Sequence, residues 1–193
     1  MPLREVQRPD LASARRQLAE AGLGPGSVLS LLVMDIPRSY MPEPQRLAQV
    51  LRQSLEAVGL RVQVRTVPWV QFMSQAARGE HDLCLLGWVA DTADPHEILR
   101  NLLGWDEIRQ GQGSNVAFWK DERYQELVNR AETAQDPALR LDLYLQALRL
   151  VREEAPLLPL AHVQETVAVR QDVQGLVQQP AGAVLRFDKA YKL

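Results

Sequence analysis

Short apolar runs alternate with amphipathic segments in the first half of the chain, and this alternation limits the fold more than any other feature. The runs are residues 28–34, 61–67 and 82–86, which read VLSLLVM, RVQVRTV and DLCLL. Helical periodicity fills the two segments between them, residues 44–58 and 69–78. Strands joined by helices of this length form parallel sheets whose faces the helices cover. The sequence therefore predicts an α/β fold with a mostly parallel central sheet flanked by helices.

The rest of the chain predicts mainly helices. They are expected at residues 10–22, 95–103, 121–135 and 137–154. In the last of these, an apolar stripe at helical spacing predicts the core-facing surface: Leu141, Tyr144, Leu148 and Val151. Residues 157–170, LLPLAHVQETVAVR, then predict a strand, a turn and a second strand, and the tail AVLRFDKAYKL predicts one more strand.

The composition argues against several classes of protein. The chain has 193 residues, 46% hydrophobic and 24% charged, with a net charge of −2, which is typical of a globular domain without a basic nucleic-acid-binding face. No apolar stretch reaches the ~18 residues that a membrane span needs. The N-terminal MPLREVQRPD lacks the apolar core of a signal peptide. The one cysteine, Cys84, excludes an internal disulfide and is interpreted as a small buried hydrophobe.

The motifs of common enzyme sites are missing from the sequence. The three histidines, His81, His96 and His162, show no paired metal-ligand spacing such as HExxH, and there is no GxSxG nucleophile elbow. The glycine-rich stretch GQGSN lacks the lysine of a phosphate-binding loop. We therefore expect no catalytic activity, no metal and no cofactor.

Two loops follow the predicted strands and carry charged side chains. Ligands of parallel sheets bind beyond the carboxyl ends of the strands, where the stretches DIPRSYMP and GWVADTADPHE lie. The second contains Asp94-Pro95, which predicts the start of a helix with Asp94 as its cap. Alternatively, Asp94 and Glu97 form a carboxylate pair. Two other interpretations also stay open: Asp91 accepts hydrogen bonds from nearby backbone amides, and Arg38 is an exposed loop arginine.

Taken together, Arg38 and Asp91 suggest a site for a small zwitterion. If the topology is right, a fixed cation and a fixed anion flank one cleft, one for a carboxylate and the other for an ammonium group. Arginine binds a carboxylate through two parallel hydrogen bonds. The Trp88 ring offers a face to the ligand's chain or its cationic end.

At these residues the chain resembles the family-5 extracellular solute-binding proteins, the peptide receptors of bacterial ABC importers. The match runs in order through DLASARRQLAEAGLGPG, through RSYMPEPQRLAQVL to GWVADTADPHEIL, and through GSNVAFWKDERYQEL to APLLPLAH. No single motif decides it, but their order and spacing are specific. The resemblance implies a type II periplasmic-binding-protein-like lobe, and it is closest to the dipeptide-binding branch.

That resemblance also implies roles for individual residues. Asp91 corresponds to the aspartate that binds the peptide's amino terminus, and Arg38, with Tyr40 beside it, to the arginine that binds the carboxylate. Gly87 and Trp88 correspond to the Gly-Trp pair at the strand end. Asn115 lies in a loop that borders the cleft in relatives, but this chain has Val116 where several relatives have tyrosine.

The resemblance implies that this chain is one lobe, residues 1–193, of a longer receptor. Family members have an N-terminal lobe and a signal peptide, which we expect to be missing here because of a truncation, a split gene or separate expression. The tail, residues 176–193, is expected to pack toward that lobe, and without it FDKAYKL, residues 187–193, is expected to lack its native partner. The full-length parent is expected to be periplasmic or extracellular and to bind short peptides and ABC permease subunits, with no nucleic acid and no other membrane contact. The alternatives are a stand-alone regulatory or partner-binding domain, or a receptor for nickel chelates, glutathione, haem or sugars.

Overall fold

The computed structural model describes residues 9–109, 111–164, 166–178 and 185–193. They divide into two compact units. The first contains the described part of Met1–Pro37, with Met41–Met73 and Glu80–Leu86. The second contains Arg38–Tyr40, Ser74–Gly79 and the described part of Gly87–Leu193. All six predicted site residues belong to the second unit.

A three-stranded parallel sheet forms the centre of the first unit. Its strands are β1 (Val28–Met34), β2 (Arg61–Val67) and β3 (Leu83–Cys84), in the order β2-β1-β3. Consecutive residues from Leu31 to Met34 are at most 2% exposed, so both faces of β1 are covered, as expected for a central parallel strand. The predicted parallel α/β arrangement is confirmed, although β3 is shorter than residues 82–86.

Helices precede and connect these strands as the sequence predicts. They are α1 (Leu11–Glu20), α2 (Pro44–Glu56) and α3 (Trp69–Ala77), which contributes residues to both units. Asp10 caps α1 by accepting a hydrogen bond from the Ser13 amide. Pro44 is the first residue of α2, where its missing N–H costs no hydrogen bond. The order β1-α2-β2-α3-β3 places the ends of β1 and β3 side by side, because these two strands pair in parallel.

Three helices supply the core of the second unit. They are α4 (Pro95–Leu103), α5 (Glu122–Thr133) and α6 (Pro137–Glu154), with a 3-10 turn at Trp105–Glu107 between the first two. The Tyr124 ring is fully buried among them, and its hydroxyl donates a 2.9 Å hydrogen bond to the Leu99 carbonyl. No helix of the described residues is long and apolar enough to cross a membrane.

The buried face of α6 differs from the predicted stripe. Tyr144 and Val151 are buried as predicted, but Leu141 is 60% exposed and Leu148 is 47% exposed. The core instead receives Leu143 and Ala147. Helix α6 has apolar residues on several of its faces, so their spacing fits more than one buried face. Packing against α5 selects the face that contains Ala147.

The strand predictions after α6 were wrong for residues 157–170. Among the described residues there, none is in a strand. Four two-residue strands follow, which are β4 (Val173–Gln174), β5 (Val177–Gln178), β6 (Leu185–Arg186) and β7 (Tyr191–Lys192). They pair antiparallel as β4 with β7 and β5 with β6. Tyr191–Lys192 therefore pairs with Val173–Gln174 of this chain. Residues 183–184 of the predicted tail strand lie outside the described residues, and packing of the tail toward a second lobe stays a prediction.

Candidate functional site

Gly87 and Tyr40 bring the two predicted loops together. A Cβ atom added to Gly87 would lie 2.7 Å from Cγ of the Tyr40 ring, closer than any real Cβ contact. Only glycine therefore lets the second loop approach that ring. The close approach explains the glycine of the Gly-Trp pair, because its backbone does not have a positive φ.

Arg38 and Tyr40 form the first-loop side of the candidate site. Both side chains are half-buried. Burial raises the pKa of the Tyr40 phenol, and the Arg38 charge opposes that rise by favouring the phenolate. The Arg38 guanidinium therefore lies close enough to the Tyr40 phenol to favour its ionised form.

Glu97 holds the second loop in place. Its Oε1 accepts hydrogen bonds from the Trp88 indole Nε1–H at 3.3 Å and from the Asp91 amide at 2.8 Å. Its Oε2 accepts from the amide and the hydroxyl of Thr92, both at 2.8 Å. One carboxylate thus fixes the loop backbone and the orientation of the tryptophan ring.

These hydrogen bonds favour the charged form of Glu97. The Asp91 amide makes the largest contribution, followed by the Thr92 hydroxyl, and together they lower the pKa of Glu97 to about 2 from the ordinary 4.5. Glu97 is also in the first turn of α4, where the helix dipole favours a negative charge. Glu97 is therefore ionised at every physiological pH.

The Asp91 carboxylate is exposed and makes no hydrogen bond or ion pair with any residue that the structure describes. Its own amide is bound by Glu97, as is the amide of Thr92. The alternative of a local backbone acceptor is therefore not seen in the described chain. A negative charge on a fixed backbone remains open to solvent.

Asp94 has a structural role at the start of α4. Its Oδ1 accepts the His96 amide at 2.9 Å, which confirms the predicted cap. Arg140 Nη2 binds its two oxygens at 2.9 and 2.8 Å. The His96 amide contributes most to lowering the pKa of Asp94, and Arg140 adds to the effect. The Asp94 and Glu97 carboxylates thus accept hydrogen bonds from different donors instead of forming a carboxylate pair. The Thr92 hydroxyl links the two residues, because it donates to Glu97 and accepts from the Asp94 amide.

Asn115 is 1% exposed, and its side chain binds the backbone on both sides of the glycine-rich stretch GQGSN. Its Nδ2 donates to the Gly104 carbonyl at 3.1 Å and to the Trp119 carbonyl at 3.2 Å. The Asn115 side-chain amide thus binds backbone carbonyls. Contact with a ligand would therefore come from other groups of its loop. That role stays a prediction.

Cys84 and His96 are two further reactive side chains among the described residues. Burial raises the pKa of the Cys84 thiol to about 11, so the nucleophilic thiolate is scarce at neutral pH. His96 Nε2 lies 3.5 Å from Glu132 Oε1. Within the described ranges, no three His, Cys, Asp or Glu side chains are grouped as metal ligands would be.

Sequence reasoning missed Arg140 and the role of Glu97. Glu97 has a recognisable signal, since it is the third residue of α4 after a capping aspartate, the position of a capping box. Its actual partners lie one turn further back in the loop, which that motif does not predict. Arg140 binds a residue 46 positions away, and no local pattern indicates such a contact.

Known proteins match this chain over most of its length. Residues 2–110 match the model of the bacterial extracellular solute-binding proteins, family 5 Middle. A dipeptide-binding protein of Pseudomonas aeruginosa is 32% identical over 171 residues, which is 89% of this chain and 32% of that protein. Heme-binding protein A of Haemophilus influenzae is 30% identical over 173 residues, covering 90% of this chain and 31% of its own length.

The fold matches solved structures as well. The dipeptide-binding protein of Pseudoalteromonas sp. SM9913, in complex with Met-Leu, superposes with a TM-score of 0.79 at 30% identity, over 94% of this chain and 35% of that one. The chain therefore spans about a third of the length of the relatives it matches. It belongs to the family-5 bacterial extracellular solute-binding proteins.

Proposed function

We propose that this chain is the ligand-binding lobe of an ABC-importer receptor that captures short peptides as dipeptide-like zwitterions. Asp91 binds the ammonium group, and Arg38 binds the carboxylate. Trp88 and Tyr40 flank the ligand, Gly87 leaves the space that the Tyr40 ring fills, and the Asn115 loop borders the site. The observation that carries the proposal is the exposed Asp91 carboxylate, which has no partner in the described chain although its backbone is fixed.

The surroundings of Asp91 support a binding role over a structural one. Loop aspartates usually bind nearby backbone amides. Here Glu97 takes the amides that Asp91 would use. A rigid loop that presents an uncommitted anion is suited to an ammonium group. Several relatives are dipeptide- or di/tripeptide-binding proteins, which supports a peptide as the ligand.

The proposal extends to the parent protein. Its location would be periplasmic or extracellular, its partners would be ABC permease subunits, and it would bind without catalysis. A second lobe would close over the ligand, and residues 176–193 would pack toward it. Support comes from the length of the relatives, of which this chain covers about a third. Closure of two lobes around a hinge is a common mechanism of such receptors.

Haem is a second candidate ligand. Similarity to heme-binding protein A is nearly as high as similarity to the dipeptide-binding proteins, at 30% against 32% identity. The charge arrangement favours a peptide, because a free aspartate suits an ammonium group and not the carboxylates of haem.

The experiment is a thermal-shift screen of dipeptides, with haem as a parallel ligand, on the longest natural polypeptide that contains this chain. We expect stabilisation by dipeptides, and its loss in Asp91→Asn and Arg38→Ala variants. Stabilisation by haem but not by any dipeptide would show that haem, and not a peptide, is the ligand. Dipeptide binding that both variants retain would remove Asp91 and Arg38 from the site.

A further inference from the structure

The Glu97 carboxylate has no hydrogen-bonding capacity to spare. An ionised carboxylate has about four acceptor sites. Glu97 fills them with the Trp88 indole, the two loop amides and the Thr92 hydroxyl. Both residues expected to meet the ligand's cationic end, Trp88 and Asp91, are therefore held by the same group.

The helix that carries Glu97 is fixed in the core. Leu99 and Leu103 of α4 are 8% and 1% exposed, and Asp94 ties its first turn to Arg140. The amide of Asp94, which a capping-box glutamate would bind, is instead bound by Thr92 Oγ1 at 3.3 Å. Glu97 is thereby free to reach the loop, and it transmits the rigidity of α4 to Trp88 and Asp91.

We propose that Glu97 is a positioning residue for ligand binding: it holds the Trp88–Thr92 loop so that Asp91 and Trp88 meet a cationic ligand group, without touching the ligand itself. This inference rests on the proposed function. It assigns part of the receptor's affinity to a helix side chain whose hydrogen-bond partners lie in the preceding loop.

The first test needs no ligand. Amide hydrogen exchange and the Trp88 indole resonance are followed by NMR in the 193-residue chain and in Glu97→Gln. Glutamine accepts through one atom only, so its Nε2 would face donors. We expect the Asp91 and Thr92 amides to exchange about tenfold faster or more, with the core of α5 and α6 unchanged. Glu122→Gln is the matched control, because it removes the same charge from the first turn of another helix.

The second test separates positioning from direct contact or charge. Met-Leu is titrated into wild type, Glu97→Gln, Asp91→Asn and the double variant, with chemical shifts as the readout. We expect each single variant to bind about two- to fivefold more weakly, the range for losing one exposed ion pair. If Glu97 acts through Asp91 and Trp88, the two losses are less than additive, because part of the Glu97→Gln effect is already absent in Asp91→Asn.

The outcomes distinguish this inference from the proposed function. Unchanged loop exchange in Glu97→Gln, or additive losses in the double variant, would overturn the positioning role even if Met-Leu binds. Failure of the longest natural polypeptide containing this chain to bind Met-Leu would contradict the proposed function, and with it the binding half of the inference, whereas the exchange data still decide the loop half. If Glu97→Gln does not fold, Thr92→Val removes one of the four donors and is expected to give a smaller change in the same direction.

Discussion

At the scale of single residues, Gly87 is a position where one added methyl group has a large local effect. A methyl group there would collide with the Tyr40 ring. We expect Gly87→Ala to destabilise the chain by about 1–3 kcal/mol and to displace Tyr40. Denaturant unfolding measures the first effect and Tyr40 ring resonances the second. Gly24→Ala is the control, since nothing lies within 4 Å of its added Cβ. Equal stability of the two variants would show that the loops are further apart than described.

Glu97 gives a pH prediction with a definite sign. Its pKa in the folded chain is about 2, below the ordinary 4.5, so it favours the folded loop above pH 4.5. That contribution is lost as the pH falls from about 4.5 through about 2. We expect the side-chain carboxyl ¹³C resonance of Glu97 to titrate near pH 2. In the Thr92→Val variant, a midpoint at the ordinary 4.5 would mean that Thr92 is the dominant donor. Because the Asp91 amide contributes most, a midpoint well below 4.5 should persist there.

The candidate site shows which residue roles a sequence can reveal. Asp91, Arg38 and Trp88 follow strand ends, so topology alone brought them forward. Asp94 was identified as a cap because the Asp-Pro pair has a local meaning. Asn115 lay in a recognisable loop, but its buried amide serves the backbone. Glu97 was misjudged because its partners depend on how the preceding loop folds, which no spacing specifies.

At the scale of elements, the end of α6 carries avoidable strain. Ala155 follows the helix with φ 48° and ψ 44°, the left-handed conformation that glycine adopts at less cost. We expect Ala155→Gly to stabilise the chain by about 0.5–1 kcal/mol, after allowing for the greater entropy of unfolded glycine. Chemical denaturation measures it. The same substitution at Ala138, in the first turn of α6, should destabilise the chain by up to about 1 kcal/mol. Two changes of the same sign would contradict the left-handed cap.

The elements differ in how well local sequence determined them. Burial of both faces makes β1 a continuous apolar run, and a half-buried edge gives β2 its alternation, so both were predicted with their bounds. Residues 157–170 also contain alternating apolar residues, yet the described ones form no strand. Val163, Val167 and Val169 are all at least 40% exposed. Alternation predicts a strand only when one face is buried, and these side chains have no such cover within the described chain.

At the scale of the whole molecule, affinity depends on how far the charged groups are removed from water. An exposed ion pair contributes about 0–1 kcal/mol. Two pairs, at Asp91 and Arg38, therefore give at most about 2 kcal/mol on that scale, whereas a millimolar dissociation constant corresponds to about 4 kcal/mol. Enclosure changes this balance, because a charge pair is far stronger in a site without water. The exposed Asp91 carboxylate lacks such enclosure within the described chain.

We therefore expect the 193-residue chain to bind Met-Leu with a dissociation constant in the millimolar range or weaker. NMR titration reaches this range, and calorimetry at high concentration checks it. The longest natural polypeptide containing the chain should bind far more tightly if further chain encloses the ligand. Asp91→Asn should then weaken its affinity more than it weakens that of the short chain, because breaking a buried ion pair costs more than breaking an exposed one. Micromolar binding by the short chain would mean that this lobe alone excludes enough water around Asp91, and it would place the affinity of the receptor in one lobe instead of in closure.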